Sequence, residues 1–262
     1  MIDSDNYENY YNKFYREERK LAKQEKKRIN DIINMLPPNM NSLLEVGCGD
    51  GRIINQLIEK YKTIYGIDIS KNALKYVKTP KKQGNIENLP FLDNSFDIVM
   101  CCEVLEHLPL SVYSKALKEL ERVSKKYILI SVPNNENLNL GMIECPQCGC
   151  SFHTCRHLRS FNQDKLKNLF TNFEVYKIDY SLFDYKTYPD FIIKTYEFIK
   201  KSKISISDFP DALCPQCGYF LDKPIKSKQY PNENNSMNKI LKRLFSVKRK
   251  SGWLMVLYKH WD

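Results

Sequence analysis

A short glycine-rich turn between two apolar strands constrains the fold of this chain more than any other feature. Residues 43–46 are predicted to form a strand that runs into Gly-Cys-Gly at 47–49 and then into a helix over 51–60. A second strand over 63–67 ends in Asp68. Glycines that allow positive φ, followed by an acid about 20 residues further on, are typical of a nucleoside-binding half-fold.

Strands and helices continue to alternate up to residue 134, which predicts a parallel sheet with helices on both faces. About 70 residues separate the last two predicted strands, so we expect an insertion there. The predicted strands are 43–46, 63–67, 81–85, 96–101, 127–132, 173–181 and 252–259, and the predicted helices are 7–35, 51–60, 71–78, 111–124 and 162–171.

Three further segments make a family resemblance specific. They are 84–100 (Gly-Asn-Ile-Glu-Asn-Leu-Pro-Phe through Phe-Asp-Ile-Val-Met), 101–108 (Cys-Cys-Glu-Val-Leu-Glu-His-Leu) and 128–134 (Ile-Leu-Ile-Ser-Val-Pro-Asn). With the glycine turn, they resemble class I S-adenosylmethionine-dependent methyltransferases over residues 40–180 and the last strand.

The resemblance implies an α/β fold with a Rossmann-like seven-stranded sheet whose last strand is antiparallel. It also implies a helical segment over 1–36 that covers the cofactor site. The methyltransferase domain would span 37–262, interrupted at about 141–157 and 184–248. A tyrosine of the first helix could cap the methionine end, although packing alone would explain such tyrosines.

The same resemblance implies a set of residues that bind S-adenosylmethionine. Asn85 departs from the family pattern, which has an aspartate there, but its amide still offers an acceptor for the adenine amine. The implied contacts are Gly47, Cys48 and Gly49 to the methionine moiety, Glu45 to its amino group, Asp68 to the ribose diol, Ile69, Asn85 and Ile86 to adenine, and the backbone of Cys102 to the cofactor.

His107 is the candidate general base, because its loop faces the acceptor in the resembled enzymes. The alternative is that Glu103, Glu106 and His107 only organise this loop. Arg159, in a stretch that parallels one in resembled enzymes, is expected to pack and pair rather than to act in catalysis.

A repeated pentapeptide, each copy of which resembles the knuckle of a zinc ribbon, predicts a metal site. The fold would therefore include a small zinc-ribbon-like insertion, with zinc-knuckle segments at about 141–157 and 184–248. Cys-Pro-Gln-Cys-Gly occurs at 145–149 and again at 214–218, so Cys145, Cys148, Cys214 and Cys217 are expected to hold one structural Zn²⁺. Cys150, His153, Cys155 and His157 could compete as ligands. We expect the module to shape the acceptor site without chemistry, helped by aromatic residues of the insertion: Phe183, Tyr185, Tyr188, Phe191, Tyr196 and Phe198.

The net charge of +10 is concentrated in two flanking segments, 13–28 and 239–250. They could bind RNA or an anionic lipid head group, or they could be solvated helix faces. The near-neutral body favours a small-molecule or glycan-precursor acceptor, and an RNA methyltransferase that grips RNA with the zinc module and basic flanks is the alternative. The polar start and the lack of a long apolar run predict no signal peptide, no membrane span and a cytoplasmic location.

Overall fold

The computed structural model describes residues 4–15, 21–187, 212–221 and 247–261. Its backbone divides into two compact units. The first comprises residues 1–136, 158–181 and 252–262, and the second comprises residues 137–157 and 182–251. Within the described residues, no helix combines the length and the apolar character that crossing a membrane requires.

A seven-stranded sheet forms the core of the fold, in the order β3-β2-β1-β4-β5-β11-β8. Strands β1 to β5 pair in parallel, and β11 pairs antiparallel with β5. This confirms the Rossmann-like sheet with an antiparallel last strand. The strands are β1 Ser42–Val46, β2 Thr63–Asp68, β3 Lys81–Gln83, β4 Phe96–Cys102, β5 Ser124–Pro133, β8 Phe173–Thr187 and β11 Val247–His260.

Helices cover both faces of this sheet, because the central strands are apolar on both sides. The helices are α1 Ser4–Phe14, α2 Lys23–Met35, α3 Lys71–Leu74, α4 Leu110–Val123 and α5 Gln163–Lys167. One face of β4, with Ile98 and Met100, packs in a cluster that includes Ile32 of α2. The other face, with Val99, packs in a cluster that includes Leu120 of α4.

Two predicted helices differ from the structure. The helix expected over 7–35 is interrupted, because Ala22 is extended (φ −70°, ψ 159°) and caps the start of α2. The helix expected over 51–60 is only a single 3₁₀ turn, Ile54–Gln56. There Asn55 uses its side chain to bind the backbone of Tyr76 and Lys78, at 3.0 and 2.8 Å, so tertiary hydrogen bonds replace helical ones.

The other elements agree with their predictions in type but not in length. The helix expected over 71–78 ends at Leu74, and the one expected over 162–171 spans only Gln163–Lys167. The strand expected over 81–85 ends at Gln83, whereas the last strand begins at Val247 instead of 252.

The second unit contains two short hairpins of the same design. Strands β6 Met142–Glu144 and β7 Ser151–His153 form the first hairpin, and β9 Ala212–Leu213 and β10 Phe220–Leu221 form the second. Some predicted features lie outside the described residues, namely Tyr188, Phe191, Tyr196, Phe198 and the segments 16–20 and 239–246 of the two basic flanks.

Candidate cofactor and acceptor site

A cavity of about 340 Å³ opens in the first unit, where β1, β2 and β4 end. The carboxyl edge of a parallel sheet is the usual ligand-binding edge of this class of fold. The residues that line it are Tyr11, Tyr15, Val46, Gly47, Ile67, Asp68, Ile69, Gly84, Asn85, Ile86, Glu87, Glu103, Val104, His107, Leu108, Pro109, Ser111, Val112 and Lys115.

The carboxylate of Asp68 joins the two turns at the base of this cavity. Its Oδ2 accepts a hydrogen bond from the backbone N–H of Gly49 at 2.7 Å, and its Oδ1 accepts one from Ser70 at 2.8 Å. Burial raises the pKa of Asp68 to about 6, although these backbone N–H groups counteract the rise. Carboxylate oxygens have further lone pairs, so Asp68 can still accept bonds from a ligand in the cavity.

Glu45 lies on β1 and is buried, without lining the cavity. Burial raises its pKa to about 8, against the lowering effect of the backbone N–H of Ile54. Its Oε2 has no hydrogen-bond partner within the described structure. A buried carboxyl group with an unused oxygen is suited to receive a cationic group, which would restore its ionised form.

Two tyrosines line the cavity from the end of α1, Tyr11 within the helix and Tyr15 directly after it. The hydroxyl of Tyr15 lies 2.7 Å from where a Cβ on Gly49 would be, and the ring of Tyr11 meets the ring of His107 edge-on at 6.2 Å. Asn12 fixes the helix, since its Oδ1 accepts bonds from the Ser70 hydroxyl at 2.9 Å and from the Asn72 backbone at 3.1 Å. The sequence analysis did not predict this anchor.

Glu103 borders the cavity in an unusual backbone conformation, with φ at +58°. Its Oε2 accepts a bond from Trp253 Nε1 at 2.6 Å and lies 2.9 Å from the guanidinium of Arg28. Arg28 also stacks on the Trp253 ring at 4.8 Å. These contacts from α2 and β11 hold a strained residue in place, and such strain is commonest at functional sites.

His107 lines the cavity at the end of a 3₁₀ turn, Leu105–His107. Its Nε2 lies 3.9 Å from Oε1 of Glu106. Glu106 is fully buried, and burial, reinforced by the charge of Glu103, raises its pKa well above the usual range. His107 therefore faces the cavity beside a carboxyl group whose neutral form is favoured by burial.

Arg159 holds the backbone of the 105–108 loop by hydrogen bonds. Its guanidinium donates to the carbonyl oxygens of Leu105 and Leu108, at 3.1 and 2.6 Å, and lies 3.9 Å above the ring of Tyr113. Arg159 does not line the cavity. These contacts fit the expected role of Arg159 in packing and pairing.

The cavity brings together only some of the side chains singled out from the sequence. Gly47, Asp68, Ile69, Asn85, Ile86 and His107 line it, whereas Glu45, Cys48, Gly49 and Cys102 do not. Cys48 and Cys102 are buried, and burial raises their pKa values well above that of a free thiol. Glu87 and Lys115 line the cavity and were missed, because no motif distinguishes them from surface charges.

The second unit gathers four cysteines at the tips of its two hairpins. Sγ of Cys145 lies 3.6 Å from Sγ of Cys217, and Sγ of Cys148 lies 3.6 Å from Sγ of Cys214. All four sulfurs lie within 4.8 Å of one another. The Gly149 and Gly218 N–H groups bond to the carbonyl oxygens of Cys145 and Cys214 at 2.9 and 3.0 Å, so the two turns are alike.

Gly47 provides a direct test of how tightly the cavity is built. Its φ is +72°, and a Cβ there would lie 2.2 Å from Cγ2 of Val104. Gly47→Ala is expected to lower the free energy of unfolding by about 1–3 kcal/mol, from backbone strain and overpacking. Thermal and urea denaturation measure this loss. Val104→Ala in the same chain should restore part of it, and a double variant no more stable than Gly47→Ala would contradict the predicted contact.

Part of this chain is similar in sequence to known methyltransferases. Residues 44–129 match the family model of the methyltransferase domain. An uncharacterized protein of Methanocaldococcus jannaschii is 42% identical over 100 residues, which cover 37% of this chain and 42% of that protein. The ubiquinone biosynthesis O-methyltransferase of Albidiferax ferrireducens is 28% identical over 93 residues, which cover 31% of this chain and 37% of that enzyme.

Among solved structures, a putative methyltransferase from Bacillus halodurans shares the fold, with a TM-score of 0.54 and 14% identity over 88% of this chain and 97% of that one. The chain spans less than half the length of both curated relatives, which restricts the match to their shared domain. Residues 44–129 therefore match a methyltransferase domain, and the chain shares its fold with a solved putative methyltransferase.

Proposed function

We propose that this protein transfers a methyl group from S-adenosylmethionine to a small-molecule or glycan-precursor acceptor. The observation that carries the proposal is the cavity itself, where the buried Asp68 carboxylate lies beside the glycine turn and two apolar walls from Ile69 and Ile86. These groups fit a nucleoside with a charged tail. When bound, S-adenosylmethionine would supply an activated sulfonium methyl group.

Different residues of this chain would bind different parts of S-adenosylmethionine. Asp68 would accept hydrogen bonds from the ribose hydroxyls, and Glu45 would face the amino group of the methionine tail, directly or through water. Gly47, Cys48 and Gly49 would bring the backbone close to this tail, and the backbone of Cys102 would contact the cofactor from β4. Tyr11 and Tyr15 would limit the access of water.

The acceptor would be aligned next to Tyr11, Glu103 and His107, which line the cavity. Methyl transfer depends mainly on in-line alignment of acceptor and methyl group. His107 would take the proton from a hydroxyl acceptor, in keeping with the O-methyltransferase named among the relatives. RNA as acceptor, bound through residues 13–28, 239–250 and the cysteine hairpins, is the alternative that the assay below separates.

We also infer that Cys145, Cys148, Cys214 and Cys217 bind one structural Zn²⁺. Zinc–sulfur bonds of about 2.3 Å in a tetrahedron place sulfurs about 3.8 Å apart, close to the observed 3.6 Å between the two cross-hairpin pairs. A disulfide would need about 2.05 Å. Four protein thiolates leave no open position, so the ion would stabilise the hairpins without taking part in methyl transfer.

The transfer reaction is tested with radiolabelled S-adenosylmethionine and fractionated lysate. Label is expected in the low-molecular-weight or glycan fraction, and Asp68→Ala should abolish it because the ribose loses its acceptor. His107→Asn should reduce turnover by about 10²-fold or more while S-adenosylhomocysteine still binds, as expected for a general base. Nuclease-sensitive label would favour RNA, and failure of the wild-type chain to bind S-adenosylhomocysteine would refute the proposed cofactor.

Proton release on cofactor binding tests the role of Glu45. With a pKa of about 8, Glu45 is mostly protonated at pH 7 in the free protein. A cationic amino group beside it should lower this pKa, so binding of S-adenosylhomocysteine at pH 7 should release close to one proton. Calorimetry in buffers of different ionisation enthalpy measures this number. The number of protons released on binding should fall towards zero at pH 9 and in Glu45→Gln. Equal proton release by the wild type and the variant at pH 7 would argue against the contact between Glu45 and the amino group.

Metal analysis tests the four-cysteine site. One Zn²⁺ per chain is expected in the wild type and in Cys150→Ser, whose thiol lies next to the site outside the set of four. Cys148→Ser should lose the metal and lower the melting temperature, because closed zinc sites contribute folding energy. A Cys148→Ser protein with full zinc content and unchanged stability would be inconsistent with this site.

A further inference from the structure

Two hydrogen bonds to Glu87 fix the orientation of the Asn85 side-chain amide. Its Oδ1 accepts the backbone N–H of Glu87 at 3.2 Å, and its Nδ2 donates to Oε1 of Glu87 at 3.1 Å. A backbone N–H requires an acceptor and a carboxylate requires a donor, so both contacts fix the same orientation of the amide. The side chain of Asn85 is therefore engaged in holding Glu87.

Glu87 is held from a second side as well. Lys115 Nζ lies 3.4 Å from Oε2 of Glu87, and Glu87 and Lys115 both line the cavity. The lysine side chain is 65% exposed, so this ion pair adds little stability. A carboxylate offers about four lone-pair positions, which leaves acceptor capacity for a donor in the cavity.

We propose that Glu87, positioned by Asn85, recognises the exocyclic amino group of the adenine ring. This inference rests on the proposed function, and it assigns to Glu87 the role that the family pattern places at position 85. Ile69 and Ile86 line the same cavity and provide apolar walls for the ring. An amino group donates to the carboxylate, whereas a ring that carries a carbonyl oxygen at this position would place one hydrogen-bond acceptor against another.

The proposal separates two residues that affect the same contact in different ways. Glu87→Gln keeps the size of the side chain but replaces one carboxylate oxygen with an N–H₂ donor, which cannot accept a hydrogen bond from the adenine amine. Asn85→Ala removes the group that positions Glu87 but leaves the carboxylate and Lys115 in place. Glu87→Gln should therefore change ligand preference, whereas Asn85→Ala should mainly weaken binding.

The test compares two ligands by calorimetry: S-adenosylhomocysteine and S-inosylhomocysteine, in which an oxygen replaces the adenine amine. Wild-type protein should prefer S-adenosylhomocysteine by about tenfold or more, as expected for a hydrogen bond to a charged group. Glu87→Gln should reduce this ratio to near one. Asn85→Ala should weaken both ligands together and keep most of the ratio, with the melting temperatures of both variants measured alongside.

Three outcomes would count against the proposal or its premise. If Asn85→Ala removes the preference and Glu87→Gln retains it, Asn85 recognises the amine and the proposal is wrong. If the wild-type protein binds both ligands equally well, no side chain recognises the exocyclic group of the purine ring, and the proposal is wrong. If the wild-type protein binds neither ligand, the proposed function itself fails, which the assignment of Glu87 alone could not cause.

Discussion

The hydrogen bonds to the Asp68 carboxylate determine the shape of the site. The N–H groups of Gly49 and Ser70 converge on it from the turns that follow β1 and β2. The Ser70 hydroxyl then accepts the Ala73 N–H at the start of α3 and donates to Asn12 of α1. One carboxylate thus connects the glycine turn, the second strand and the covering helix, so any change in its charge or position would reach all three.

The sheet could be predicted from sequence because its determinants are local. Strand β4 is buried at every position, and such an apolar run directly after an Asp-Asn-Ser turn segment admits few alternatives. The helix expected over 51–60 failed for the opposite reason. Asn55 bonds to Tyr76 and Lys78, more than 20 residues away, and no local pattern reveals that competition.

The residues of the candidate site also include some that local sequence could predict and some that it could not. Asp68 and Asn85 were found because they follow strands at family-specific spacing, and the paired cysteines were found because each set is repeated in a five-residue motif. The cluster of Arg28, Glu103 and Trp253 could not be predicted, since its members lie 75 and 150 residues apart and meet only when α2 packs on the sheet and β11 pairs with β5.

The electrostatics of the first unit bear on why a methyl donor would bind and its product leave. Glu45 and Glu106 are buried carboxyl groups whose pKa values are raised by burial, and Glu103, which borders the cavity, pairs with Arg28. A ligand with an ammonium and a sulfonium group would offset the cost of ionising such carboxyls, because opposite charges favour the ionised forms. Methyl transfer removes the sulfonium charge. For the proposed reaction, the same acidic surroundings would therefore hold the substrate more tightly than the product, and this difference would favour product release.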